Sequence, residues 1–384
     1  MYLPKPIKIC HVISSLKIGG AQLLLKNLCA SLKTPEFKHV VVCLTGDTNL
    51  AHKFRSYGVE LYFVDIIGFF SLIQGVIKLR DILELEQPDV IHTWLYHADF
   101  LTTLARYRLR ACPLLWSVHH ANEKSEGDKL LTKWLVKLLS LLSNKFPSRI
   151  VYCSEYARAV HTRLGYCSGK SFVINNGIDT TRFCSSLSLR AHFRHQQGIG
   201  LSTAVVGMVA RYSPIKGHKV FLDMARVLLT TETDIRFVMI GTNISASNRE
   251  LIGIIDSLGL RDYCTLLEEQ SDIERAMNGF DILVCPSYSE SFGLVVVEAL
   301  ACEVPVVCSD LEVLRDIVGQ RFTAPVGNSH LLARKTYELV RATRAERKTI
   351  GSQGRKQVIK NYDENVMLEK YRRLYHELLH AGVG

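Results

Sequence analysis

Short apolar runs rich in β-branched residues alternate along the chain with longer segments of helical periodicity. This alternation is typical of parallel strands covered by helices on both faces, so the sequence predicts an α/β fold. In the first half, strands are expected at Ile7 to Ile13, Val40 to Leu44, Leu61 to Val64, Val90 to His92, Leu114 to Val118, Ile150 to Cys153 and Phe172 to Ile174. Together they predict one complete open sheet.

The alternation stops in a polar stretch between Asp179 and Thr203 and restarts at Ala204 with the run AVVGMVA. We place a domain junction in this stretch. Further strands are expected at Ile235 to Ile240, Cys264 to Leu267, Ile282 to Cys285 and Val304 to Cys308. They predict a second doubly wound, Rossmann-like domain, so the chain divides into 1–182 and 183–362, followed by a helix from Asp363 to about Leu379.

Length and composition agree with two globular domains. The chain has 384 residues, of which 47% are hydrophobic and 22% are charged, and each half is long enough to bury a core of its own. The net charge of +10 favours an anionic partner, such as nucleic acid, a phospholipid surface or a phosphorylated substrate. Charge alone does not choose among them.

The cysteines and the N-terminus bear on the compartment. Eleven cysteines without a C-x-x-C pair favour reduced core thiols over disulfides or a zinc site, and a reducing cytosol is the expected location. The first residues have neither the long apolar region nor the cleavage site of a signal peptide. No stretch reaches the roughly 18 apolar residues of a membrane span, so a soluble or peripheral protein is expected.

Ligands of open α/β sheets bind beyond the carboxyl ends of the strands, so two such domains facing each other would share one cleft. The first loop of interest, SSLKIGGAQ, places Gly19 and Gly20 before a helix that begins near Ala21. Paired glycines let the backbone approach a phosphate or a sugar, and the helix N-terminus offers free amides. An ordinary turn explains the pattern equally well.

A second loop, VARYSPIKGH, follows the first strand of the second domain and carries Arg211 and Lys216. An arginine fork and a lysine point charge at a strand end can hold a diphosphate. A solvated loop with two surface charges is the alternative.

The third loop, CPSYSESFGLVVVEALA, has the most specific pattern. A strand is followed by a loop with Glu290 and Ser291 and then by the start of a helix. The free amides at that start, those of Phe292, Gly293 and Leu294, form an anion-binding nest. Glu298 lies about a turn and a half inside the helix. Carboxylates accept hydrogen bonds from vicinal hydroxyls of a sugar or ribose, so the segment suits a nucleotide sugar. Otherwise Glu290 complements the helix dipole and Glu298 faces water.

Motifs of other enzyme classes are missing. The sequence has no Walker sequence, G-x-S-x-G or G-x-G-x-x-G, and no D-x-D pair for a metal-bound diphosphate. Arg211 and Lys216 would then supply the cations, which predicts a metal-independent site for the leaving group.

Histidines end a strand of the first domain in LLWSVHHANE. His119 is the preferred catalytic candidate because it follows the apolar run through Trp116 and Val118, although lone histidines are more often structural. His92 and His97 are less specific, and either shape an acceptor pocket or pack.

Together these segments resemble the family-four retaining glycosyltransferases, which have the GT-B fold of two Rossmann-like domains facing across a cleft. The family carries an N-terminal G-G loop, a V-x-R-x-x-x-x-K-G segment and an E-x7-E motif, whose ends are here Glu290 and Glu298. YCSEYARAV and VINNGIDTTRF also look like family segments. The similarity runs along nearly the whole chain.

The resemblance implies a role for each candidate residue. Residues 1–182 would bind the acceptor, with the helix at 363–384 packing back on them, and 183–362 would bind the donor. Arg211 and Lys216 would grip the diphosphate, Glu290 and the amides of Phe292 to Leu294 would contact the sugar, and Glu298 would bind the ribose. Gly19 and Gly20 would close over the donor. His119 would lie near the reacting sugar.

Departures from the family pattern leave the base open between a UDP- and a GDP-sugar. The chain has GTNIS where the family often has Gly-Asp-Gly or Gly-x-Gly, and LLEEQ where the base-binding turn usually contains glycine. Asn175 replaces the usual proline before the N-G-[IV]-D turn, which affects only the rigidity of that turn.

The segment DKLLTKWLVKLLSLLSNKF spaces Lys129, Lys133 and Lys137 four residues apart among leucines and Trp134. A basic stripe on an apolar helix suits an anionic bilayer surface, and many relatives use lipid-linked acceptors. The alternative is a domain-packing helix with a solvated lysine face.

The sequence therefore predicts a retaining glycosyltransferase that needs no cofactor or metal. It would move a sugar from a nucleotide sugar to a saccharide or lipid-linked acceptor, in cell-surface polysaccharide or lipopolysaccharide synthesis. A cytoplasmic location is expected, with possible peripheral contact at the inner face of the membrane, and no nucleic-acid partner. The rivals are a nucleotide-sugar epimerase or phosphorylase and a non-catalytic sugar-nucleotide or nucleic-acid binder. A binder would not need the paired carboxylates, and no pyridoxal-phosphate lysine signature supports a phosphorylase.

Overall fold

The computed structural model describes residues 5–17, 19–66, 68, 71–106, 112–120 and 130–380. The chain divides into two compact units, which we call unit 1 and unit 2. Unit 1 comprises Met1–Gly177 and Asn365–Gly384, and unit 2 comprises Ile178–Glu364.

Unit 1 contains a parallel sheet in the order β3-β2-β1-β4-β5-β6-β7. Its strands are β1 (Ile7–Ile13), β2 (Phe37–Cys43), β3 (Glu60–Phe63), β4 (Val90–Trp94), β5 (Leu114–Val118), β6 (Arg149–Tyr152) and β7 (Ser171–Val173). Its helices are α1 (Gly20–Ser31), α2 (Ala51–Ser56), α3 (Leu72–Glu86), α4 (Tyr96–Ala105), α5 (Leu130–Leu142) and α6 (Glu155–Arg163). The central strands β4 and β5 are buried along their whole length, as parallel strands covered on both faces should be.

Unit 2 contains a second parallel sheet, in the order β10-β9-β8-β11-β12-β13. Its strands are β8 (Ala204–Val209), β9 (Ile235–Ile240), β10 (Cys264–Leu267), β11 (Ile282–Cys285), β12 (Val306–Ser309) and β13 (Thr323–Ala324). Its helices are α7 (Leu187–Gln196), α8 (His218–Leu228), α9 (Arg249–Ser257), α10 (Ile273–Gly279), α11 (Leu294–Ala301), α12 (Glu312–Val318), α13 (Ser329–Arg341) and α14 (Arg344–Tyr362). The predicted α/β class with two parallel sheets is confirmed.

The last helix, α15 (Glu364–His380), lies in the core of unit 1. Its buried face includes Tyr371 and Tyr375, both fully covered. The hydroxyl of Tyr375 is hydrogen-bonded to Nδ1 of His92 at 2.9 Å, and Nε2 of His92 meets the hydroxyl of Ser117 at 2.8 Å. His92 therefore packs inside unit 1, which leaves it no exposed surface for an acceptor.

The polar stretch between Asp179 and Thr203, where the alternation of strands and helices stops, contains the helix α7. Ser186 caps it through a hydrogen bond from the amide of Leu189, and its buried residues are Phe193 and Arg194. The periodicity was hidden because the helix buries an arginine where an apolar residue is expected. The stretch is thus part of the folded body of unit 2.

Arg194 is fully buried in unit 2 and pairs with Asp281 at 2.5 Å. Arg190 reaches the same carboxylate at 2.7 Å, and the amide of Val205 donates to it at 2.9 Å. Burial alone would raise the pKa of Asp281, but Arg190 and Arg194 outweigh it and hold that pKa below its usual value. Through Asp281, this cluster connects Arg190 and Arg194 of α7 to the backbone of Val205 near the start of β8.

Most predicted strands begin or end within a few residues of the observed ones, but the two-residue strand β13 was missed because it is too short to show a period. All eleven cysteines are free, as predicted, and most are buried.

Candidate functional site

The switch point of the unit 2 sheet lies between β8 and β11, the two strands whose following connections run in opposite directions. Ligands of open α/β sheets bind outside the carboxyl ends of such strands. The loop after β8 carries Arg211 and Lys216, and the loop after β11 carries Glu290. The topology of unit 2 thus brings two of the predicted segments to one place.

The loop after β8 is tied to the loop after β11 by backbone contacts. The amide of Tyr288 donates to the carbonyl of Ile215 at 2.8 Å. Gly217 has φ of +73°, and a Cβ there would lie 2.2 Å from the carbonyl oxygen of Pro286. Glycine is therefore required at position 217 for two reasons: the left-handed backbone conformation and the close approach of the two loops.

Lys216 and Glu290 form the central contact of the site. The Nζ of Lys216 lies 2.6 Å from Oε1 of Glu290, and the side chains are only 23% and 11% exposed. The hydroxyl of Ser287 donates to the same carboxylate oxygen at 2.8 Å. Arg211 is exposed, and within the part of the chain that the structure describes it makes no hydrogen bond or ion pair with Lys216 or Glu290. The structure thus joins Lys216 to Glu290 and leaves Arg211 apart from them.

The helix α11 begins at the predicted place. Gly293 is the N-cap residue, with φ of +93°, and as a glycine it has no side chain to cap the helix. A Cβ on Gly293 would lie 2.5 Å from Cδ2 of Leu314. Phe292 is buried against Tyr362 with ring centroids 5.6 Å apart, while Ser291 and Leu294 are half-buried. A helix start presents amide donors and a partial positive charge to an anion.

Glu298 is partly buried on α11 near two further charges that the sequence analysis did not identify. Burial raises the pKa of its carboxyl to about 7; Arg182 opposes this shift, and Glu274 adds to it. Arg182 itself pairs with Glu274 at 2.7 Å. Arg182 lies in the quoted VINNGIDTTRF segment, but only the tertiary fold brings it near α11.

We expect the Glu298→Gln variant to raise the melting temperature more at pH 8 than at pH 5. The folded-state pKa of Glu298, about 7, lies above its ordinary value of 4.5. Between these two values the folded state binds a proton that the unfolded chain does not, so stability falls as the pH rises. Glutamine removes this loss.

Melting temperatures of both proteins at the two pH values, without ligand, measure the effect. The exposed Glu377→Gln variant serves as the control and should give the same small difference at both pH values. A Glu298→Gln effect that is also independent of pH would show that the carboxyl titrates normally.

The predicted residues of unit 1 lie at the carboxyl ends of its strands. Gly19 precedes α1 in an extended conformation, φ −170°, which any residue can adopt, and Gly20 is the first helical residue. A Cβ on Gly19 would meet the flexible end of the Gln22 side chain at 2.6 Å. The backbone conformation at position 19 therefore does not require glycine.

His119 stacks on Trp94, with ring centroids 5.1 Å apart and an interplanar angle of 5°. Burial and, less strongly, the neighbouring His120 lower its pKa to about 3, so the ring is neutral at physiological pH. Its Nε2 is buried without a partner among the described residues. His97 is exposed on α4.

One buried group in the described part of the chain has the composition of a metal site. Its ligand atoms, from His11, Cys29 and His39, lie within 4.8 Å of one another. The indole N–H of Trp94 donates to Nδ1 of His11 at 3.3 Å, so the proton of His11 is on Nε2, which lies 3.0 Å from Nδ1 of His39. Burial lowers the pKa of both histidines. This chain of neutral rings occupies the lone pairs that a metal would need, which favours a role in the core.

Two family descriptions match the chain. "Glycosyltransferase Family 4" matches residues 18–182, and "Glycosyl transferases group 1" matches residues 190–357. The chain belongs to glycosyltransferase family 4. The family resemblance inferred from the loops is thereby confirmed.

Relatives and solved structures agree with this family. The chain is 25% identical to the glycosyltransferase EpsF of Bacillus subtilis over 79% of each chain. It is 24% identical to the O-antigen biosynthesis glycosyltransferase WclY of Escherichia coli, over 82% of this chain and 83% of WclY. The crystal structure of HepE from Anabaena in complex with UDP superimposes with a TM-score of 0.85 at 22% identity, covering 97% of this chain and all of HepE. These likenesses show a glycosyltransferase with the GT-B fold.

Proposed function

We propose that this protein is a retaining glycosyltransferase that takes its sugar from a UDP- or GDP-sugar bound by unit 2. The observation that carries the proposal is the Lys216–Glu290 pair, 2.6 Å apart, in the loops at the switch point of the unit 2 sheet. The start of α11 follows Glu290 by a few residues. Cation, carboxylate and free amides are the groups that a sugar diphosphate needs.

In this proposal the diphosphate replaces Glu290 as the ion-pair partner of Lys216 when the donor binds. The ammonium group turns from Glu290 toward the phosphate oxygens, where the exposed Arg211 adds a second cation. Glu290 is then free to accept hydrogen bonds from the hydroxyls of the transferred sugar. The amides of Phe292 to Leu294 donate hydrogen bonds to the same sugar. Glu298 is proposed to bind the ribose.

The proposed transfer occurs on one face of the sugar. The bond between the anomeric carbon and the phosphate oxygen breaks, and a bond from the acceptor oxygen forms on the same face, which retains the configuration. The acceptor proton passes to the departing diphosphate oxygen. Lys216 and Arg211 stabilise the negative charge that develops there, so the protein supplies the cations and no metal is required. The roles of His119, Gly19 and Gly20 stay predictions.

The acceptor is proposed to be a saccharide or lipid-linked saccharide in cell-surface polysaccharide synthesis. This proposal rests on the relatives, since WclY is described as an O-antigen biosynthesis glycosyltransferase. Solved structures of HepE hold UDP and UDP-glucose, which favours uracil as the base.

We expect the glycosidic product to keep the anomeric configuration of the donor sugar. Nuclear magnetic resonance of the product formed from an α-linked UDP- or GDP-sugar measures it directly from the anomeric proton. A β-linked product would contradict the retaining mechanism.

Acceptor-dependent release of nucleotide separates transfer from its rivals. A transferase releases UDP or GDP much faster when a saccharide or lipid-linked acceptor is added, whereas an epimerase converts the donor sugar without an acceptor. A non-catalytic binder releases no nucleoside diphosphate under either condition.

A second part of the proposal concerns α5, which exposes large apolar side chains. Leu131, Trp134 and Leu141 are 78%, 69% and 74% exposed. Lys133 and Lys137 are exposed on the same helix, and the Nζ of Lys137 lies 5.8 Å from the centre of the Trp134 ring. Lys129 lies outside the described residues. No helix in the described part of the chain has the length and apolarity to cross a membrane. We propose that α5 lies on an anionic bilayer surface.

We expect vesicles of anionic phospholipid to carry the protein to the top of a density gradient at low salt. The Leu131→Ser, Trp134→Ser double variant should bind at least about tenfold less, because burial of these side chains supplies much of the binding free energy. Leu187→Ser, which changes a leucine of unit 2 that is 71% exposed, is the control and should bind normally. Flotation of the double variant equal to that of the wild type would contradict the role of α5.

A further inference from the structure

Ser287 lies between β11 and the start of α11, in the same loop as Glu290. It is only 2% exposed, and its hydroxyl lies 2.8 Å from Oε1 of Glu290. An ionised carboxylate can only accept hydrogen bonds, so the hydroxyl of Ser287 is the donor. Lys216 meets the same oxygen of Glu290 at 2.6 Å. One carboxylate oxygen thus has two separate hydrogen-bond donors, one charged and one neutral.

The backbone on both sides of Ser287 is held against the loop after β8. Pro286 packs on Gly217, where a Cβ would lie 2.2 Å from the carbonyl oxygen of Pro286. The amide of Tyr288 donates to the carbonyl of Ile215 at 2.8 Å. Ser287 therefore has little freedom to move, and its hydroxyl is a fixed point for the carboxylate.

Cys285 lies next to both groups. Its Sγ is 3.6 Å from Oγ of Ser287 and 4.0 Å from Oε1 of Glu290. Burial and, less strongly, the charge of Glu290 raise the pKa of this thiol to about 11, so it is neutral at physiological pH. A thiol is a weak hydrogen-bond donor. The hydroxyl of Ser287 is therefore the stronger of the two neutral donors beside Glu290.

The two close contacts of Glu290 differ in what happens when the nucleotide sugar binds. In the proposed mechanism Lys216 turns to the diphosphate, which breaks its ion pair with Glu290. The bond from Ser287 is made by a separate group and stays in place. Without it the carboxylate would lose its orientation at the moment when it accepts hydrogen bonds from the sugar hydroxyls, because a free side chain samples several rotamers.

We propose that Ser287 is a positioning residue for Glu290, whose hydroxyl holds the carboxylate toward the transferred sugar after Lys216 has turned to the diphosphate. This inference rests on the proposed function of unit 2. It adds a residue that acts on the sugar only through Glu290.

The first test is the Ser287→Ala variant, which removes the hydroxyl. We expect it to lower kcat/KM for the nucleotide sugar by about tenfold, which is the effect of one hydrogen bond to a charged group. Its affinity for UDP, or for GDP if guanine is the base, should stay within about twofold of the wild type, because neither carries the transferred sugar. Release of nucleoside diphosphate and calorimetry measure the two quantities. The control is Ser257→Ala, which changes an exposed serine bonded within its own helix and should keep nearly full activity.

A double-mutant cycle tests whether Ser287 acts through Glu290. Glu290→Ala alone is expected to lower kcat/KM by about two orders of magnitude. In that background Ser287→Ala should change kcat/KM by less than about twofold, because the carboxylate that the hydroxyl holds is gone. A merely structural role would lower activity by the same factor in both backgrounds.

The contrary results are distinguishable from one another. Normal kcat/KM of Ser287→Ala, or an equal loss with and without Glu290, refutes the role of Ser287 while the donor site stands. A Ser287→Ala protein whose affinity for UDP and GDP falls as much as its kcat/KM also refutes it, because the hydroxyl would then support the whole loop. Full activity of Glu290→Ala, or no transfer by the wild type from any UDP- or GDP-sugar, refutes the proposed function itself.

Discussion

Replacing Lys216 with methionine is expected to lower kcat/KM for the donor sugar by about two orders of magnitude or more. The substitution removes the charge but keeps most of the apolar stem. In the proposed mechanism Lys216 stabilises the negative charge of the leaving diphosphate, which is greater in the transition state than in the bound donor. Release of nucleoside diphosphate from a panel of UDP- and GDP-sugars measures the loss.

A neighbouring lysine provides the matched control. Lys219 lies three residues further on, is 69% exposed and pairs with Asp223 on the same helix. Lys219→Met should keep nearly full activity. If Lys216→Met retained activity within about threefold of the wild type, the diphosphate would have to be held elsewhere.

Replacing Asp281 with alanine is expected to destabilise unit 2 by about 3–5 kcal/mol. The carboxylate pairs closely with Arg190 and with Arg194, which is fully buried. Without Asp281 that guanidinium keeps hydrogen bonds only to carbonyl oxygens, including those of Gly279 and Thr203. A buried charge without its counter-charge is among the most destabilising changes a core can suffer.

Urea unfolding followed by far-UV circular dichroism measures this effect. The control is Asp256→Ala, which breaks the exposed pair of Asp256 with Arg261. Exposed pairs are screened by water, so this variant should unfold close to the wild type. An Asp281→Ala protein as stable as the Asp256→Ala protein would show that the buried cluster does not stabilise unit 2.

The fold could be predicted from the sequence wherever an element follows a simple rule of burial. The strands β1, β9 and β11 are largely apolar, and their predicted bounds match the observed ones. The helix α7 could not be found in this way. Its buried face contains Arg194, whose burial is possible only because Asp281, far along the chain, comes to meet it.

The residues of the candidate site were chosen from post-strand loops, and their positions follow from sheet topology. Parallel strands that adjoin at a switch point bring their following loops together, which is how Lys216 comes to lie beside Glu290. The roles assigned to these residues stay predictions until they are measured.

The rest of the site depends on tertiary contacts that leave no local signal. Arg182 and Glu274 affect the pKa of Glu298 only because the fold brings all three residues together.

A thermal-shift comparison of the wild type with Lys216→Met tests the donor site most directly. A nucleotide at about 100 times its Kd stabilises the folded state by about 2.7 kcal/mol, which raises the melting temperature by several degrees. We predict such a rise for the wild type with UDP or GDP and with one of their sugars, and a much smaller rise for Lys216→Met at the same concentrations. An equal rise in the two proteins, or none in the wild type with any nucleotide, would contradict a donor site built on Lys216 and Glu290.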